Sequence, residues 1–163
     1  MKVLILQIIN GLQIGSIFAL ISLGYTMVYG IAQLINFAHG EILMLSSYIA
    51  LFSIPFLVSI GLPIWVSVIP AIILSTIIGV VIEKFAYTPL RNSPRISNLI
   101  TAIGVSLLLQ NLVMVFIGAE PKPFPKVFTM APLKISGLTI NFSFIITIVV
   151  TAILTVLLQV FLR

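Results

Sequence analysis

The chemistry available to this chain is concentrated in one stretch, Gly24-Tyr25-Thr26-Met27-Val28-Tyr29-Gly30-Ile31-Ala32-Gln33-Leu34-Ile35-Asn36-Phe37-Ala38-His39-Gly40-Glu41, which sets the only histidine of the sequence and a glutamate amid long apolar runs. Gly24, Gly30 and Gly40 interrupt the helical pattern there, and Asn36, His39 and Glu41 supply donors and acceptors that could bind or guide a solute. A deep, ionised Glu41 costs roughly 2.5–3.5 kcal/mol on insertion scales, so it needs a partner or water beside it. Two arrangements meet that need. One is a broken helix whose unwound backbone lines a polar cavity. The other is an interfacial loop with Glu41 at a helix N-terminus, where the dipole favours a negative charge.

The same inventory argues against an enzyme. His39 and Glu41 would be the natural acid–base pair or metal ligands, but a zinc site takes three or four protein ligands. The sequence offers one histidine and the scattered Glu41, Glu83 and Glu120, with no aspartate and no cysteine. It contains neither a G-x-S-x-G elbow nor a phosphate-binding glycine loop, so it cannot hydrolyse ATP itself. No catalytic residue, metal or cofactor is expected.

The elements that must position the polar stretch are transmembrane helices. Hydrophobic residues make up 61% and charged residues 7% of the 163-residue sequence, and the mean hydropathy is +1.33, far outside the range of soluble domains. No charged residue falls between Lys2 and Glu41, or within 42–82, 96–119 and 135–162. Each run can hold a span of roughly 20 residues. An open sheet edge does not survive in hydrocarbon, so the spans must be helical. The expected fold is an all-α, polytopic transmembrane helix bundle of about five spans near 4–29, 41–60, 64–87, 99–117 and 142–162, with a broken-helix element between the first two. The apolar run after Lys2 is longer than the core of a signal peptide and no small-x-small cleavage site follows it, so it is expected to stay as the first helix. Gly11, Gly15 and Ala19 put small residues on one face of that helix, and Ala71, Ser75 and Gly79 repeat the device in the third span. Such faces let another helix approach closely, or else lie as plain stripes against lipid.

Two connections carry most of the basic residues. Residues 88–98 hold Pro89, Arg91, Pro94 and Arg95 and read as a compact polar loop, while 118–141 contain Pro121-Lys122-Pro123-Phe124-Pro125-Lys126, which favours an extended polyproline conformation. Phe124 and Phe128 suit a loop folded onto the protein or a partner; a solvated connector fits equally. The eight basic residues form no stripe for a phosphate backbone, so no nucleic acid is expected. In a five-span arrangement they divide evenly, with Lys84, Arg91, Arg95 and Arg163 on one side and Lys2, Lys122, Lys126 and Lys134 on the other. Charge therefore leaves the orientation open.

The polar stretch, together with IEKFAYTPLRNSPRISNLITAIGVSLLLQN over 82–111, closely resembles the permease subunit of high-affinity branched-chain amino acid ABC importers. The match is strong from about 10 to 111 and continues more loosely to 163. The resemblance implies a multi-pass protein of the bacterial or archaeal cytoplasmic membrane that pairs with a second, related permease. Two cytoplasmic ATPase subunits would power it, and an extracytoplasmic binding protein would deliver leucine, isoleucine or valine. It places Asn36, Phe37, His39, Gly40 and Glu41 near the translocation path, and Glu83, Tyr87, Pro89 and Arg91 in a motif after the third span. Glu83 and Arg91 could pair, but solvated charges are the simpler expectation.

Members of that family continue beyond the position of Arg163 into a cytoplasmic ATPase-docking loop and further spans. The sequence is therefore expected to be an incomplete product, or to be completed by a second polypeptide. The alternative function is a truncated, non-transporting half-permease remnant or an assembly protein. The same resemblance turns 88–98 toward the cytoplasm and the proline-rich loop outward, and leaves the side of the N-terminus open.

Overall fold

The computed structural model describes residues 2–32, 36–125, 127, 133–135, 138–140 and 142–161. The helices are α1 (Lys2–Ala32), α2 (His39–Ser59), α3 (Val68–Ile82), α4 (Arg95–Phe116) and α5 (Phe142–Phe161). A short 3-10 turn (Ile64–Ser67) leads into α3, and a π turn (Glu83–Tyr87) followed by a 3-10 turn (Thr88–Leu90) leads out of it. Five helical segments are long and apolar enough to cross a membrane: Val3–Gly30, His39–Ser59, Ile64–Leu90, Ile96–Phe116 and Phe142–Phe161. The all-helical transmembrane architecture therefore stands.

Two boundaries differ from the sequence reading. Helix α1 runs on through Gly24 and Gly30 to Ala32, and Gly40 lies inside the first turn of α2. A helical glycine costs only about 1 kcal/mol, less than an unpaired peptide group in hydrocarbon, so the glycines do not break the helix. Among the described residues, the interruption falls at 36–38 instead. The second difference lies within 118–141, where β1 (Leu133–Ile135) pairs antiparallel with β2 (Leu138–Ile140), Leu133 opposite Ile140 and Ile135 opposite Leu138. Residues 121–125 are irregular and exposed, and Phe124 does not pack away, being 47% exposed. Lys126 and Phe128 lie outside the described residues.

The chain forms two compact units, residues 28–127 and residues 1–27 with 128–163. In the first, α2 packs chiefly on α3 and more lightly on α4. Its core is made largely of small residues: Ala38, Ala50, Ala71, Ala102 and Ser67 are buried, with Ile54, Leu57, Leu109 and Val113 between them. Small side chains let helix backbones approach, the packing mode suited to a membrane. Ala71 is buried, whereas Ser75 turns its hydroxyl onto the Ile72 carbonyl at 3.2 Å. A Cβ built on Gly79 meets nothing within 4 Å.

Helix α2 ends in a Schellman motif. Leu62 N–H donates to the Leu57 carbonyl and Gly61 N–H to that of Val58, both at 3.0 Å, and Gly61 takes φ +77°. Helix α4 ends similarly, with Gly118 at φ +100° donating to Met114. Both are left-handed caps that favour glycine.

In the other unit no described residue of α1 up to Met27, or of α5, is buried. Helices apolar on every side belong against lipid or another protein. Thr147, Thr151 and Thr155 close their hydroxyls onto carbonyls four residues back in α5, so these polar groups are satisfied without leaving the helix. A Cβ at Gly11 or Gly15 meets no atom of their own unit within 4 Å; their face, with Ala19, is open for a surface outside it.

Gly61→Ala should lower stability by about 1–2 kcal/mol, the cost of forcing an L side chain into the left-handed region, while Gly79→Ala should be neutral or gain up to about 1 kcal/mol. Reversible unfolding in mixed micelles checks both; equal effects would contradict the cap.

Candidate functional site

The helix break is organised by Asn36. Its side-chain Oδ1 accepts from the Ala38 N–H at 3.1 Å, and its backbone carbonyl accepts from the His39 N–H at 3.1 Å. This is an Asx-type turn, which closes the chain locally and launches α2. The same Oδ1 accepts from the Tyr87 hydroxyl at 2.9 Å. Tyr87 ends the π turn, so the break is tied to the exit of α3.

The π turn itself is closed twice by one residue. Thr88 N–H donates to the Glu83 carbonyl, five residues back, and the Thr88 hydroxyl donates to Glu83 Oε1 at 3.0 Å. Glu83 therefore takes Thr88 as partner rather than Arg91, which is exposed. Pro89 brings no N–H and lies in the 3-10 turn, where that loss is tolerated. This explains why the end of the third span departs from α geometry.

Glu41 is the third residue of α2, where its charge also suits the dipole. Its Oε1 accepts from the Ser106 hydroxyl at 2.6 Å and from the Gln110 amide Nε2. Ser106 lies eleven residues past Arg95 and Gln110 fifteen past it. At 1.5 Å per residue they stand about 16 Å and about 22 Å along α4, from its midpoint to two-thirds of its length. The start of α2 thus lies alongside the central part of an apolar helix. Glu41 thus stands in the first turn of a helix and beside the middle of α4 at once, which is compatible with both arrangements open in the sequence.

Of the other predicted residues, Phe37 is 40% exposed, Gly40 is half-buried, and His39 is half-buried at the head of α2. The cluster brings together Asn36 and Tyr87, and separately Glu41 with α4. Among the described residues, no three of His, Asp or Glu gather within reach of one metal ion.

Sequence reasoning missed Ser106 and Gln110. Their signal was the four-residue spacing Asn98, Ala102, Ser106, Gln110 in a charge-free run, which puts all of them along one side of a helix. Asn98 and Ala102 are indeed buried.

The family model for the permease component of branched-chain amino acid transport systems matches residues 7–162. The chain belongs to that permease family. It is 42% identical over 154 residues to the high-affinity branched-chain amino acid transport system permease protein BraD of Pseudomonas aeruginosa, an alignment covering 89% of this chain and 50% of that protein. The corresponding LivH protein of Salmonella typhimurium is 44% identical over 146 residues, 86% of this chain and 47% of its own. LivH of Escherichia coli K12 is 44% identical over 127 residues, 75% and 41% respectively. The chain therefore spans about half the length of the curated relatives it matches. No solved structure matches it. These relatives are transport permeases, not enzymes.

A double-mutant cycle between Glu41→Ala and Gln110→Ala should give a coupling energy of about 0.5–3 kcal/mol, as expected for residues sharing a hydrogen bond. Glu41→Ala and Ser47→Ala, whose hydroxyl bonds within its own helix, should add. Additivity in both cycles would remove the Glu41–Gln110 link.

Proposed function

We propose that the chain is a membrane-embedded permease subunit of an ATP-driven importer, and that it forms part of the translocation path for branched-chain amino acids. The observation that carries the reading is the hydrogen-bonded contact of Glu41 with Ser106 and Gln110 beside the middle of α4, in a family of amino acid permeases. A carboxylate is expensive at membrane depth and marks a solute path more readily than a lipid-facing surface. Asn36, Phe37, His39, Gly40 and Glu41 then border the path. The partners are a second related permease, two cytoplasmic ATPase subunits and an extracytoplasmic amino acid binding protein, in the cytoplasmic membrane of a bacterium or archaeon.

The π turn with Glu83, Tyr87, Pro89 and Arg91 belongs to the cytoplasmic end in this reading, with Tyr87 connecting it to the path. The apolar, unburied faces of α1 and α5 face lipid and the other permease. Gly11, Gly15 and Ala19 supply a close-approach surface for a neighbouring helix, and Ser75 and Gly79 extend the one at Ala71.

In membranes whose own branched-chain permease has been deleted, the importer assembled with this chain should take up labelled leucine. Glu41→Ala should reduce uptake by about tenfold or more, the scale of losing hydrogen bonds to a charged group, with the inserted amount unchanged. Wild-type uptake by the variant would exclude Glu41 from the path. Gly11→Leu with Gly15→Leu should instead lower the yield of assembled complex, because the added side chains hold a neighbouring helix away; unchanged yield would remove the packing role.

A further inference from the structure

We infer that Glu41 is the docking point for the α-ammonium group of the cargo, with Ser106 and Gln110 acting as the residues that position its carboxylate. The inference rests on the transport reading above and assigns one end of the amino acid to one atom of the path.

The described donors engage one oxygen of the Glu41 carboxylate. Ser106 Oγ and Gln110 Nε2 both donate to Oε1 of Glu41, and no described residue donates to Oε2. A carboxylate oxygen only accepts, so the remaining position calls for a donor. The chain supplies no cation from the neighbouring spans, because no Lys or Arg occurs within 42–82 or 96–119. A charge brought to this depth still requires neutralisation, which a cationic group on the cargo would supply.

Along α4 a second unsatisfied oxygen lies further off. Asn98 lies two turns before Ser106 along α4, on the same side as Ala102 between them, and is 6% exposed. Its Oδ1 is buried and accepts no hydrogen bond. Leaving such a group unpaired costs about 1–3 kcal/mol, but it stands about 12 Å along α4 from Ser106, beyond the reach of a group held at Glu41. Among amino acid groups, only the ammonium combines a positive charge with several N–H donors. The substrate carboxylate finds no attraction to such atoms. Ser106 and Gln110 are positioning residues: they fix the direction of Oε1 and thereby aim Oε2.

The sequence has no cysteine, so Ser106→Cys creates the sole thiol within these 163 residues, and any cysteine elsewhere in the importer is replaced by serine. The test uses the assembled importer in membranes and compares a cationic trimethylammonium-ethyl methanethiosulfonate with an anionic sulfonatoethyl one, each normalised to its rate with a small thiol in solution. The cationic reagent should react about tenfold faster or more, the scale of electrostatic focusing in a charged cleft. Leucine turnover should slow it, and adding Glu41→Gln should erase the preference. Equal normalised rates with Glu41 present, no reaction with either reagent, or a rate unaffected by leucine turnover would overturn the docking role. Slowing by sodium or potassium ions but not by leucine would overturn it in favour of a metal-cation site. If Ser106→Cys lowers complex yield, Gln110→Cys carries the same comparison. Leucine uptake measured on the same membranes separates the two claims. Uptake with charge-indifferent modification removes the docking role alone, whereas an assembled wild-type importer without leucine uptake removes the transport reading.

Discussion

A carboxylate beside the middle of an apolar helix has to be met by donors, and the 28–127 unit is arranged around that requirement. Glu41 is brought to α4 at a level where Ser106 and Gln110 can both reach it. The meeting requires α2 to begin part-way along α4 rather than at its end. That in turn requires the preceding chain to leave helical geometry inside the unit, where its peptide groups need local partners. Asn36 supplies them, its side chain engaged by Ala38 just before the next helix and its carbonyl by His39, the first residue of that helix.

The exit of α3 serves the same end. An α-helical continuation would lead directly to Pro89, which has no N–H to give. The chain widens to a π turn and then tightens to a 3-10 turn, with Glu83 and Thr88 bonded to each other through both backbone and side chain. Tyr87, the last residue of the wide turn, reaches Asn36 across 51 positions of sequence. Single-turn π segments often occur at functional sites. Here one joins the polar loop after α3 to the break before α2.

Much of this was legible in the residues. Charge-free runs gave the five helices because a membrane demands about 20 apolar residues per span. The polar stretch marked the break because Asn36, His39 and Glu41 have no other neighbours of their kind. What could not be read was which atoms would meet. Gln110 is nearly 70 positions from Glu41, and its amide looks no different in sequence from that of Asn111, which folds back onto Leu107. Gly24 and Gly30 misled because glycine signals a break only when its cost exceeds that of the alternative. The strands at 133–140 were hidden by the prolines before them, although Leu133, Ile135, Leu138 and Ile140 alternate around the turn-prone pair Ser136-Gly137.

The contact on which the rest of this unit depends is the adjacency of Glu41 and α4. The most direct measurement is thiol cross-linking in membranes: Glu41→Cys paired with Gln110→Cys, treated with a bis-methanethiosulfonate carrying a two-carbon spacer, against Glu41→Cys paired with Leu108→Cys on a different side of α4. If Glu41 lies against Gln110, the first pair forms an intramolecular link and the second forms little or none. Equal linking of both pairs, or linking only at Leu108, would contradict that adjacency.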